Sequence, residues 1–95
     1  MSGQTLFFPA KHKWLADIIS LRTPEEAREA VRKLKKIFNE SGHSKRVLIL
    51  RAVVLAANRA EAARKKKNLS AKEKKEFREI EKIYRNFAEW CEGRL

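Results

Sequence analysis

The chain has 95 residues and carries 23 Lys and Arg against 12 Asp and Glu, a formal net charge of +11. That length supports one hydrophobic core, because dividing it would leave too little apolar surface for either half to fold. A composition of 43% hydrophobic and 37% charged residues supplies both a core and a solvated surface, which excludes general disorder.

Ser2, Gly3, Gln4 and Thr5 predict a loose end over residues 1–5, and Leu6, Phe7 and Phe8 predict a segment that packs down after it. Pro9 can open a first helix, since its missing N–H is not needed in the first turn. Trp14, Leu15, Ile18 and Ile19 then share one helical face up to about Leu21. The clearest start signal is Thr23-Pro24-Glu25-Glu26, where Thr23 caps, Pro24 takes the first helical position and Glu26 completes a capping box. Helix two follows, with Ala27, Ala30, Val31, Leu34, Ile37 and Phe38 as its apolar stripe, and Gly42 offers the left-handed residue that commonly ends a helix.

Ser44 can cap helix three, expected from Lys45 to Lys67 at a length of about 34 Å. From Val47 to Ala57 only Arg51 is polar, so this stretch is expected to be enclosed by the other helices or by a second copy of the chain. A strand over 46–55 is disfavoured, because no turn signals bound it and alanine-rich sequence follows directly. Asn68-Leu69-Ser70 breaks the chain, and Ser70 with Glu73 forms a second capping box. Helix four carries Phe77, Ile80, Tyr84, Phe87 and Cys91 in steps of three and four, and ends near Gly93. The pattern is all-α. It predicts one domain over 1–95, folded as a compact antiparallel four-helix bundle with a short N-terminal helix, three longer ones and helix three central.

Catalysis needs a nucleophile, a proton-transfer group and a charge stabiliser brought together. The sequence has no glycine-rich phosphate loop, no paired-histidine metal motif and no serine elbow, so it predicts a non-enzymatic protein without cofactor or metal. The single cysteine excludes an internal disulfide framework, which makes a reducing, cytoplasmic setting the expectation. Cys91 falls on an apolar stripe and reads as a buried structural thiol, while His12 and His43 read as solvated side chains. Trp14, Tyr84 and Trp90 stand at core spacing, which favours packing over base stacking. No apolar run approaches the roughly 20 residues of a membrane span, and no signal-peptide pattern opens the chain. Abundant Lys, Arg and Glu resemble the composition of hyperthermophile proteins with surface ion-pair networks.

The charge excess is unevenly placed. Residues 76–95 hold Arg78, Lys82, Arg85 and Arg94 against Glu76, Glu79, Glu81, Glu89 and Glu92, so the preceding residues carry the whole surplus. Lys35, Lys36 and Arg64 to Lys67 lie near helix C-termini, where the macrodipole favours cations. Lys11, Lys13, Lys45, Arg46, Lys72, Lys74 and Lys75 crowd helix starts instead, where N–H groups already suit phosphate. In an up-and-down bundle Arg64, Lys65, Lys66, Lys67, Lys72, Lys74 and Lys75 gather at one pole, and Lys11, Lys13, Lys35, Lys36, Lys45 and Arg46 at the other. These thirteen residues form the predicted contact set for DNA or RNA phosphates, with little base specificity. The alternative is a self-associating structural or adaptor protein, a homo-oligomer held through the apolar stretch of helix three.

Overall fold

The computed structural model describes residues 12–95. The expected loose end, the Pro9 helix start and Lys11 lie outside the described residues. The described chain forms α1 (Lys13–Ile18), α2 (Pro24–Asn39), α3 (His43–Arg64) and α4 (Ala71–Glu92), with no strand among the described residues. The all-α class follows directly from these elements, and residues 46–55 are helical.

α1 buries Leu15, and Ile19 just beyond it closes the last turn by donating its N–H to Leu15 O. The helix stops short of Leu21 because the next backbone donor is taken elsewhere. The Ser20 N–H donates to Tyr84 Oη at 3.1 Å, and the Tyr84 hydroxyl donates to Ser20 O at 2.7 Å. A residue held in both directions by a side chain of α4 cannot continue the helical ladder.

α2 starts as its sequence specifies, with Pro24 at the first position and Thr23 Oγ1 accepting from the Glu26 N–H at 3.0 Å. Only half of the expected box forms. The Glu26 carboxylate turns to the Ser20 hydroxyl, which donates to it at 2.6 Å, and so helps hold the α1–α2 link. At the other end Gly42 is not left-handed, with φ at −79°, and it serves as the N-cap of α3 in place of Ser44. The last carbonyls of α2 need no left-handed turn because other donors reach them. Ser41 Oγ donates to Ile37 O, and Arg46 Nε donates to Phe38 O at 3.0 Å.

α3 begins at His43 and ends at Arg64, two residues earlier and three residues earlier than its sequence suggests. Its buried side is Ile49, Ala52, Val53, Ala56, Ala57 and Ala60. The other described helices do not enclose the opposite side: Leu55 remains 39% exposed, and Val47, Leu48, Leu50 and Val54 are only partly buried. α4 opens with a complete capping box, in which Ser70 Oγ accepts from the Glu73 N–H and the Glu73 carboxylate accepts from the Ser70 N–H. It buries Ile80, Tyr84, Phe87, Ala88 and Cys91.

α3 and α4 share the most extensive interface and run in opposite directions. Arg46 near the start of α3 reaches Arg94 O just beyond α4, whereas Arg64 at the end of α3 meets Glu81 in the middle of α4. α2 lies mainly on α4, touching α3 less, and runs the same way as α4: Pro24 and Glu25 border Lys72 and Lys75, and Phe38 packs on Trp90 with ring centroids 5.3 Å apart. Every buried polar side-chain atom among the described residues has a hydrogen-bond partner.

Burial pushes the Tyr84 phenol up to about 12, and this raised value makes a direct test available because the chain has a single tyrosine. Near-ultraviolet titration should show the phenolate forming near pH 12 in the folded protein and near pH 10 after unfolding. The neutral hydroxyl therefore contributes stability that is complete below pH 10 and is lost as pH rises through the folded value. Tyr84→Phe should cost about 1–3 kcal/mol in chemical denaturation, since it leaves both Ser20 backbone groups without their partner.

Candidate nucleic-acid interface

The thirteen predicted cations meet different fates, and Lys11 lies outside the described residues. Arg46 is the least available. Its guanidinium donates to Phe38 O, to Asn39 O at 3.5 Å and to Arg94 O at 3.1 Å, and its Cζ lies 4.8 Å from the Phe38 ring centroid. A cation at the start of α3 is expected to oppose that helix's own dipole. The structure reverses that assessment for Arg46, because the directions of the helices bring its side chain to carbonyls at the end of α2 and just past α4.

Two more cations at this end are set over aromatic rings. Lys45 Nζ lies 5.0 Å from the Trp14 ring centroid, and Lys35 Nζ lies 5.1 Å from that of Trp90. Arg94 joins Lys35 on Trp90 at 4.2 Å, and Phe87 stacks on the same indole with centroids 5.5 Å apart. Both tryptophans are half-buried packing residues with cations against them. Lys13, at the first position of α1, and Lys36, in the last turn of α2, are exposed.

At the other end Arg64 and Lys65 are engaged in a lattice between α3 and α4. Arg64 Nε and Arg85 Nε each lie 2.9 Å from opposite oxygens of Glu81, while Arg85 Nη2 reaches Glu61 at 2.9 Å and Lys65 Nζ reaches Glu61 at 3.1 Å. Arg85 also donates to Asn58 Oδ1 at 3.3 Å. Burial pushes the Glu81 carboxyl up, but the hydrogen bonds and charges of Arg64 and Arg85 together outweigh it and hold the pKa below the ordinary glutamate value. The Lys65 hydrogen bond, with its charge, lowers Glu61 likewise.

The remaining five, Lys66, Lys67, Lys72, Lys74 and Lys75, are exposed and make no ion pair with a described residue. They flank the turn from α3 to α4, where the one intervening carboxylate, Glu73, is folded back on the Ser70 N–H. Glu25, Glu76 and Glu79 share a shallow groove with Lys72 and Lys75, so this end is most strongly basic on the side away from α2.

Sequence reasoning missed three further arginines. Arg51 lines an open groove of about 500 Å³ with His12, Trp14, Ser44, Lys45, Val47 and Leu48. A second groove of about 530 Å³ is lined by Leu21, Arg22, Leu55, Asn58, Arg59, Ala62, Ala63, Lys66 and Phe77. Neither lining includes a carboxylate among the described residues. A lone arginine inside the apolar run was the available signal, because a cation at residue 51 marks the side of α3 that faces water.

Cys91 is buried, and burial pushes its thiol up to about 11, well away from a reactive thiolate. Among the described residues no group of three or more His, Cys, Asp or Glu side chains is placed to hold a metal ion, and no helix is long and apolar enough to cross a membrane. No family model matches the chain, and no match is found among curated proteins or among solved structures.

The lattice predicts an acid response. Because the Glu81 carboxyl lies below its ordinary value of 4.5, the stability it contributes is present above that value and is lost as pH falls through the folded pKa. Glu81→Gln should lower stability at neutral pH by about 1–2 kcal/mol and flatten the loss below about pH 4.5, as read from denaturant midpoints across a pH series.

Proposed function

We propose that the protein is a non-enzymatic helical binding module of the cytoplasm that contacts nucleic-acid phosphates, with little base specificity. The observation that carries this reading is the set of five exposed lysines, Lys66, Lys67, Lys72, Lys74 and Lys75, standing around one turn without an ion-pair partner among the described residues. A folded chain gains nothing from holding like charges so close, whereas a polyanion releases counterions when it meets them. Lys13 and Lys36 extend the contact set at the opposite end, and the residues held by carbonyls, rings or carboxylates contribute field more than contact.

The same reading takes residues 1–95 as one antiparallel four-helix bundle with α3 at its centre. The opposed directions of α3 and α4 and the burial of Ile49, Val53, Ala56, Ala57 and Ala60 support it. The contact of α4 with both α2 and α3 gives α4 an equal share in that centre. The alternative, a self-associating structural or adaptor protein, draws on the exposure of Leu55. A strict monomer by light scattering at high concentration would remove it.

Titration of the whole chain against duplex DNA and structured RNA over a salt series tests the leading reading. Five neutralised phosphates correspond to a log–log slope of about −4.5 on DNA. Replacing Lys66, Lys67 and Lys74 together by Gln should make that slope shallower by about 2.7 while leaving the thermal midpoint unchanged. Absence of binding by the unaltered chain at low salt, or an unchanged slope in the triple variant, overturns the proposal.

A further inference from the structure

Three surfaces lead away from the lysine turn along the helices, and they differ in charge. The groove between α2 and α4 holds Glu25, Glu76 and Glu79 beside Lys72 and Lys75. The flank between α3 and α4 holds Glu61 and Glu81, already paired with Arg64, Lys65 and Arg85. The third surface is the outward side of α3, which carries the two open grooves in succession. Leu48 and Arg51 line one groove and Leu55 and Ala62 the other, and steps of three, four and seven residues keep all four on one helical stripe. No carboxylate lines either groove among the described residues. Lys66, in the turn beyond α3, also lines the second groove and so joins it to the lysine cluster.

Arg51 stands on this side with its charge unanswered: it is exposed and makes no hydrogen bond or ion pair with a described residue. Arg22 differs, since it lies 4.0 Å from Glu26, and Lys45 sits over the Trp14 ring, a contact that leaves its charge in place. We propose that a nucleic acid held at the lysine turn runs on along the outward side of α3, with Arg51 as a further phosphate contact, so that the ligand lies lengthwise on the helix. A polyanion leaving the turn by this side meets no carboxylate, and each further phosphate that it brings to a cation releases counterions. The rise from Arg51 to the end of α3 at Arg64 is about 20 Å, the length of about six base pairs. This inference rests on the nucleic-acid reading and adds to it a direction and a contact residue.

The test titrates the full chain over a salt series against a DNA duplex of about 20 base pairs, which is longer than α3. Arg51→Gln should make the log–log slope shallower by about 0.9. Arg51→Lys keeps the charge and should keep the parent slope. Lys82→Gln removes one charge from α4 and should also keep it, which separates a contact from a general loss of charge. Residues 51 and 82 are exposed, so all three variants should unfold at or near the parent temperature. A photoactivatable maleimide on Arg51→Cys should crosslink to the duplex, and the same label on Lys82→Cys should not. The label goes to the introduced cysteine because Cys91 is buried, with its thiol pushed up to about 11. A parent slope in Arg51→Gln, an equal change in Lys82→Gln, or equal crosslinking from both positions overturns the path along α3. If the triple lysine variant still changes the slope, the reading of the turn itself stands. Absence of binding by the unaltered chain at low salt overturns both.

Discussion

The seating of α4 against α3 is the contact on which the rest of the chain depends. α3 supplies a buried side rich in alanine, with Ala52, Ala56, Ala57 and Ala60 beside Ile49 and Val53, and small side chains let helix backbones approach closely. α4 then offers Tyr84 to the α1–α2 link, Trp90 to Phe38 of α2, and Glu81 and Arg85 to the polar flank of α3. Each of the other helices is therefore fixed by a residue whose position α4 sets. The polar flank adds geometry more than energy, because exposed ion pairs are individually weak while a shared network restrains the angle at which two helices meet.

This arrangement also sorts the cations. A basic residue near a helix end is read by whichever terminus lies beside it in space, and that neighbour need not belong to its own helix. Arg46 sits in the first turn of α3 yet serves carbonyls at the end of α2 and beyond α4, so its charge is absorbed by the fold. Lys66, Lys67, Lys72, Lys74 and Lys75 have no such neighbour among the described residues. The surplus charge is thus concentrated around a turn, where chain architecture places few constraints on side-chain identity.

Much of the fold was legible in the sequence, and the parts that were not have physical reasons. Thr23-Pro24 and Ser70-Glu73 marked helix starts correctly because capping is a local interaction among adjacent residues. Gly42 and Ser44 misled for the opposite reason. The last carbonyls of α2 are satisfied by Ser41 and by Arg46, and the reach of a long side chain across a helix junction leaves no periodic trace. The early end of α1 depends on Tyr84, separated from Ser20 by 64 residues. The lysines of the α3–α4 turn were visible as a charge run, but their freedom from partners could be read only once Glu61, Glu73 and Glu81 had been seen to be occupied elsewhere.

The Tyr84–Ser20 clamp has a further consequence for the order in which the chain comes together. α3 and α4 are consecutive and joined by a short turn, so their pairing closes a small loop at low entropic cost. The clamp closes a loop of 64 residues and has no hydroxyl to grip until α4 is in place. Loop entropy therefore favours closing the α3–α4 pair over closing the clamp on its own, and the attachment of α1 draws on the pairing that seats α4. A single phenol thus ties the segment that precedes α2 to the last helix of the chain.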